Sequence, residues 1–347
     1  MRQLAKYSYA NAKIRAWLSF LLSPNVFERM LSAHDLGEVL DILKTTTYSH
    51  VVEKLREESI SSLLPLEKAL LKENLYDYWK IYDVLVGQQE KMFISLLLQR
   101  YELEEVKVSL RIWYKKDLID VNDYLLGESG VHNIDFCKLI SSQDVDEIIS
   151  ILEKTPYKKP LIQARERFQK KNSIFYLEIS LDADYYRRLL ECVEKLSVID
   201  QKVAKKILGV AIDIENIRWL LRQHKYYKFN VDDMLEGIIP GGEYITQEKV
   251  RSSYNTNGFS HIIDELIIGP YTGIKDLVDG NAILLEKFLY EVLSREVNRA
   301  LSGFPFTVGI ALGYLILKTR EIKNIISLCY AKYYKVEREE STSLIFQ

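Results

Sequence analysis

The acidic run at Val231–Glu236, "VDDMLE", puts Asp232, Asp233 and Glu236 within five consecutive positions. Clustered carboxylate oxygens are what a hard cation such as Mg²⁺ requires. All-helical enzymes that transfer prenyl groups hold magnesium and diphosphate on turns of this kind, with a second acidic cluster facing the first. No second run of that pattern occurs in this chain, so the acids read either as a cation site or as a solvated helix start. "DVDE" at Asp144–Glu147 reads as a helix cap, because an earlier segment carries "DLGE" in the same place.

Other chemistry leaves no trace. Neither a phosphate-cradling Gly-x-x-x-x-Gly-Lys-Ser/Thr nor a Gly-x-Gly-x-x-Gly is present, so the common routes to binding nucleotide are missing. The nucleophile elbow Gly-x-Ser-x-Gly is absent too. The five histidines (His34, His50, His132, His224, His261) form no His-x-x-x-His pair, and Cys137, Cys192 and Cys329 form no Cys-x-x-Cys. The expectation is a chain without catalytic residues, cofactor or metal. Widely spaced single cysteines fit a reducing compartment.

What the chain does carry is a repeat. "LSAHDLGEVLDILKTTTY" ends at Tyr48, "ISSQDVDEIISILEKTPY" at Tyr157 and, more weakly, "YNTNGFSHIIDELIIGPY" at Tyr271. A second element recurs in step: "ELEEVKVSLRIWYKK" from Glu102, "DIENIRWLLRQHKYYK" from Asp213 and "EIKNIISLCYAKYYK" from Glu321. The closing tyrosines lie 109 and 114 residues apart and the acidic starts 111 and 108 apart. Such a period exceeds that of solenoids and propellers and suits one small domain per copy. The expected divisions are residues 1–115, 116–225 and 226–347, three similar helical domains in a pseudo-threefold funnel.

Composition points the same way. Glycine (15) and proline (7) are scarce in 347 residues, which favours long helices. With 47 basic and 49 acidic side chains there is no excess of positive charge to draw nucleic acid. The most apolar stretch, Phe304–Leu317, has 14 residues against the roughly 20 that span a bilayer. Lys13 and Arg15 interrupt the apolar run near the start, unlike a signal peptide. A soluble, cytoplasmic protein is expected.

Within the repeated helix, Ile214, Ile217, Leu221 and His224 share one stripe, while Glu215, Arg218 and Arg222 share another. Trp219 points away from the apolar stripe and calls for a second covering surface. Near the C-terminal end Ile322, Ile325, Ile326, Cys329 and Tyr333 form the stripe, with Asn324 in the place of Asn216. "AKIRAW" reads as a first-copy relative, with Arg15 matching Arg218. Gly309 and Gly313 form a Gly-x-x-x-Gly that suits close packing of two helices.

Several segments together resemble a known family. They are "YANAKIRAWLSFLL", the exits "KTTTY" and "KTPY", "AIDIENIRWLLRQHKYYK" with the following "IIPGGEYI", and "PFTVGIALGYLILKTREIKNIISLCYAKYY". In that order they resemble the C subunit of V-type (A-type) ATPases, the counterpart of the eukaryotic d subunit. The resemblance implies an all-α funnel and a non-enzymatic rotor part on the cytoplasmic face. One end would receive the axle subunits D and F, and the other would rest on the membrane rotor ring. Torque would then couple ATP turnover elsewhere to proton or sodium transport, with no nucleotide bound here. On that reading Arg15, Asn216, Arg218, Arg222, Glu321 and Asn324 either face partners or stitch one repeat to the next. A helical scaffold for some other complex and a magnesium-dependent enzyme using Asp232, Asp233 and Glu236 are the alternatives.

Overall fold

In a computed structural model the protein is all-α, with no strand among the described residues, which are 2–56, 62–116, 125–126, 131–226, 231–257, 268–277, 282–343 and 345. The middle of the third repeat (258–267) and His261 lie outside them, as does the His224 side chain. Helices α1 (Arg2–Leu18), α2 (Pro24–Ser32), α3 (Leu36–Lys44), α4 (Ser49–Arg56) and α5 (Leu64–Val84) lead to the long α6 (Gln88–Lys115). Then come α7 (Phe136–Ser141), α8 (Val145–Ile151), α9 (Lys158–Lys171), α10 (Phe175–Val193) and a second long helix, α11 (Val198–Tyr226). After α12 (Val231–Glu236), α13 (Gln247–Asn257) and a 3₁₀ segment (Gly269–Leu277) come α14 (Ala282–Ser302), the long α15 (Gly309–Tyr333) and α16 (Arg338–Ser343). No described helix is long and apolar enough to cross a membrane.

Local chemistry explains the boundaries. Asp35 caps α3 by accepting the Glu38 N–H at 3.0 Å, while Glu38 accepts the His34 N–H at 2.8 Å, a reciprocal capping box. Asp144 and Glu147 repeat it at α8, where Glu147 accepts the Gln143 N–H. Thr46 and Thr155 then close these helices alike, each hydroxyl bonding the carbonyl three residues back and accepting the N–H of the exit tyrosine. Pro24 opens α2 at its first turn, as its missing N–H allows. Gly309 and Gly313 admit Val203 of α11 and Leu301 of α14, each closer than 3 Å to where a Cβ would sit.

The core divides in three. One cluster joins residues from Phe27 to Leu70 with Ile322, Ile325, Leu328 and Cys329 of α15, so the first repeat is completed by the far end of the chain. A second surrounds α11, α12 and α14. The largest runs from Tyr7 in α1 through α6, α9 and α10 to Val308–Leu315.

Each repeat is tied to a long helix by one buried contact. The exit tyrosine Tyr157 donates to Glu102 of α6 at 2.8 Å, and Tyr48 donates to Glu321 of α15 at 2.6 Å. Tyr271 donates to Asp213 of α11 at 3.3 Å. The same three acids accept backbone N–H groups from the segments that enter the short helices: His132 on Glu102, Leu22 on Glu321, and Tyr244 and Ile245 on Asp213. Burial, and then the adjoining carboxylate, push all three phenols upward, so each stays a protonated donor. Burial also raises Asp213 to about 6, against the lowering effect of its two backbone bonds.

Two measurements check the locks. Tyr157→Phe strips a donor from a carboxylate that is fully buried, and is expected to cost about 1.5–3 kcal/mol in urea unfolding. A loss below a few tenths would show that the bond carries nothing. Asp213 binds its proton more tightly when folded, so its stabilising contribution is full only below its unfolded value of 3.8 and is lost as pH rises through about 6. Relative to Asp213→Asn, the wild type is therefore expected to lose about 2 kcal/mol between about pH 4 and about pH 7. A pH-independent difference between the two proteins would contradict this.

Candidate functional site: a charged cleft among the long helices

The polar stripe of α11 recurs on α6. Glu215, Arg218 and Arg222 sit at i, i+3 and i+7, and Glu104, Lys107 and Arg111 hold the same spacing 111 residues earlier. Glu104, Lys107 and Arg111 of α6 and Glu215 and Arg222 of α11 line a cleft of about 380 Å³, with Glu178 and Asp182 of α10 between them and Trp219 in its wall. Trp219 has the second cover that its position demands: it stacks on Phe175 with centroids 5.0 Å apart, and its Nε1 donates to the Met234 carbonyl. On the other side of α11, Glu215 and Arg218 share a second cleft of about 310 Å³ with Arg320 and Lys323 of α15 and Tyr290 of α14.

Ion pairs fix these walls. Asp182 takes Arg100 at 2.9 Å and Lys107 at 3.0 Å, while Arg111 reaches Glu178 at 2.5 Å. Arg218 pairs with Glu215 at 2.6 Å and grips both oxygens of Glu286 on α14. Burial works to lower Arg100, but the adjacent Tyr186 and Asp182 hold its guanidinium well above the ordinary arginine value. The cleft walls around Lys323, and then the charge of Arg218, push its ammonium down. A site of this kind can read charged side chains on an inserted partner.

The six candidate residues separate. Arg222 lies exposed at the edge of the first cleft, whereas Arg218 lines the second. Arg15 is exposed on α1, where it donates to the Leu301 carbonyl at 2.7 Å. The counterpart of Arg218 is thus Lys107, one full period earlier, rather than Arg15. Asn216 is fully buried, donating to the Ile239 and Ile245 carbonyls and accepting the Ile239 N–H. Glu321 is held in the Tyr48 lock, and Asn324 is buried beside it. Arg100, Lys107, Arg111, Arg320 and Lys323 also line the two clefts, although spacing within one helix does not single them out. Shifting the Glu215 stripe back by the repeat period finds two of them.

The acidic run on α12 meets a guanidinium. Arg167 of α9 bonds Glu236 closely and lies 3.6 Å from Asp233, which is buried, while Asp232 is exposed. A positive charge therefore already stands where a magnesium ion would have to sit. Among the described residues no three of His, Cys, Asp and Glu are grouped to hold a metal. Titration with magnesium chloride is expected to leave the melting temperature unchanged. A saturable rise that Asp232→Asn abolishes would restore the cation reading.

Comparison with known proteins gives a consistent result. The family described as ATP synthase (C/AC39) subunit matches residues 10–344. The A-type ATP synthase C subunit of Archaeoglobus fulgidus is 27% identical over 342 residues, covering 97% of this chain and 95% of the relative. That of Methanosphaera stadtmanae is 26% identical over 333 residues, covering 94% and 84%. The Thermococcus onnurineus protein of the same name is 23% identical over 343 residues, covering 98% and 90%.

Proposed function

Because the chain belongs to the ATP synthase (C/AC39) subunit family, we propose that it is the central-stalk spacer of an A/V-type rotary ATPase. On this reading it catalyses nothing. It receives the axle subunits D and F at one end, rests on the membrane rotor ring at the other, and carries torque between them on the cytoplasmic face. ATP turnover in other subunits is thereby coupled to proton or sodium movement at the ring. The observation that carries the reading is the family match across nearly the whole chain.

The geometry supports it in two ways. Three tyrosine–carboxylate locks of one design support three similar modules about a pseudo-threefold axis, the first assembled from both ends of the chain. The charged cleft is the natural seat for the axle, since a polar, paired wall grips by complementary charge. Its residues begin near the middle of α6 and α11, so it lies away from the helix starts.

Arg111 and Arg222 are the exposed cations on this wall. Reversing Arg222 alone, Arg222→Glu, is expected to weaken retention of the D–F pair by about tenfold or more without lowering the melting temperature, since Arg111 is left in its pair with Glu178. Unchanged retention would move the axle elsewhere. A wild-type chain that retains neither the axle pair nor the ring would serve as a scaffold in some other complex.

A further inference from the structure

The three joints that precede the long helices come together around the start of α1. Gly87, before α6, has its space filled by Lys6 and Glu90, which pair at 2.5 Å. Gln3 bonds both Ser197 and Asp200 at the start of α11. Asp200, fully buried, also accepts the Val308 N–H at 2.7 Å, which fixes the joint before α15. One buried carboxylate and one helix end thus hold all three joints in a fixed arrangement.

Each joint then turns an apolar side chain outward. Val86 is 72% exposed, Val198 81% with Ile199 beside it, and Phe304 55%. Val86, Val198 and Phe304 stand 16, 15 and 17 residues before the lock carboxylates Glu102, Asp213 and Glu321, so they occupy matching places in the repeat. Folding does not explain them, because they bury little. Apart from exposed Asp83, three residues before Val86, the charge left unpaired beside Val198 and Ile199 is positive. Glu90 is taken by Lys6 and Glu194 by Lys205, whereas Lys195 and Lys202 are exposed with no ion pair among the described residues.

We propose that Val86, Val198, Ile199 and Phe304 form a foot that seats this chain on a protein surface apolar at its centre and acidic at its rim. The foot rests on the reading above, in which the end opposite the axle meets the rotor ring, and it assigns residues to that contact. A lipid surface is the weaker match. Lipid binding draws on a broad amphipathic helix or a dense basic cluster, while these are single side chains on tight joints held by buried hydrogen bonds. Rigid, preorganised tips suit a protein surface, because little freedom is lost on docking.

The test uses the full chain carrying Val86→Asp, Val198→Asp and Phe304→Asp, with a serine version of the same three changes as a milder control. The probes are detergent-solubilised rotor ring, the D–F pair, and vesicles of phosphatidylcholine with phosphatidylglycerol. Both triple variants are expected to keep the wild-type melting temperature and axle binding. Their ring affinity should fall by about tenfold or more. Lys195→Glu with Lys202→Glu should weaken the ring contact and flatten its salt dependence. Undiminished ring binding by the aspartate variant overturns the foot and leaves the stalk reading intact, whereas a wild type that binds the axle but not the ring overturns the foot and leaves only the axle half of that reading. Vesicle binding that the aspartates abolish overturns it in favour of lipid. A wild type that binds neither partner removes the stalk reading and the foot together.

Discussion

A carboxylate withdrawn from water calls for donors, and each of the three long helices carries one that an exit tyrosine meets. That demand organises the chain. Each acid draws in an exit tyrosine from one segment and a backbone N–H from another, so the short helices are fixed by polar bonds as well as by their apolar faces. Removing any one donor leaves charge stranded in the interior, which is why the contacts act as latches rather than as interchangeable packing. Because Tyr48 and Glu321 are 273 positions apart, the same latch ties the two ends of the chain into one body.

This arrangement leaves the outer polar stripes free for other work. On α11 the lock acid Asp213 and the buried Asn216 lie on one side, while Glu215, Arg218 and Arg222 line the clefts on the other. A helix anchored on one face through its middle can hold a row of charges steady on the opposite face. The pairs of Arg218 with Glu286 and of Lys107 with Asp182 extend that order across neighbouring helices. Long helices of about 40 Å, crossed at mid-length by such bonds, resist bending and twisting.

Much of this is legible in the residues. Capping at Asp35 and Asp144 follows from local spacing, because neighbours along one helix decide it, and the Gly309–Gly313 spacing marks the face that other helices approach closely. The six polar candidates show the limit. Helical periodicity says that Asn216 and Glu321 leave the main apolar stripe, but not that loops at Ile239–Ile245 and Leu22 fold back to cover them. Spacing alone makes both of them surface groups or stitches, and the cover comes from segments distant in sequence. Short local likeness pairs Arg15 with Arg218, whereas the full period leads to Lys107. The magnesium reading of Asp233 and Glu236 fares similarly, since their countercharge, Arg167, comes from another helix.

The third copy shows what the repeats preserve. Its acid is aspartate, one methylene shorter than glutamate, and its exit lacks the threonine that closes the other two. The backbone moves in to compensate. At Gly242 a Cβ would lie 2.5 Å from the Asp213 Oδ1, so a glycine turn lets Tyr244 and Ile245 bring their N–H groups to the acid. Gly269, at φ +61°, then redirects the chain so that Tyr271 still reaches its partner. Each acid meets three donor contacts: a phenol for all three, then Leu22 and Lys318 for Glu321, the His132 backbone and ring for Glu102, and two amides for Asp213. Lys318 brings a cation to Glu321, whereas every donor to Asp213 is neutral. Burial outweighs those hydrogen bonds at Asp213 and lifts its pKa to about 6. Donor count, then, is what recurs around the chain, while residue identity is free to change wherever the backbone can make up the difference.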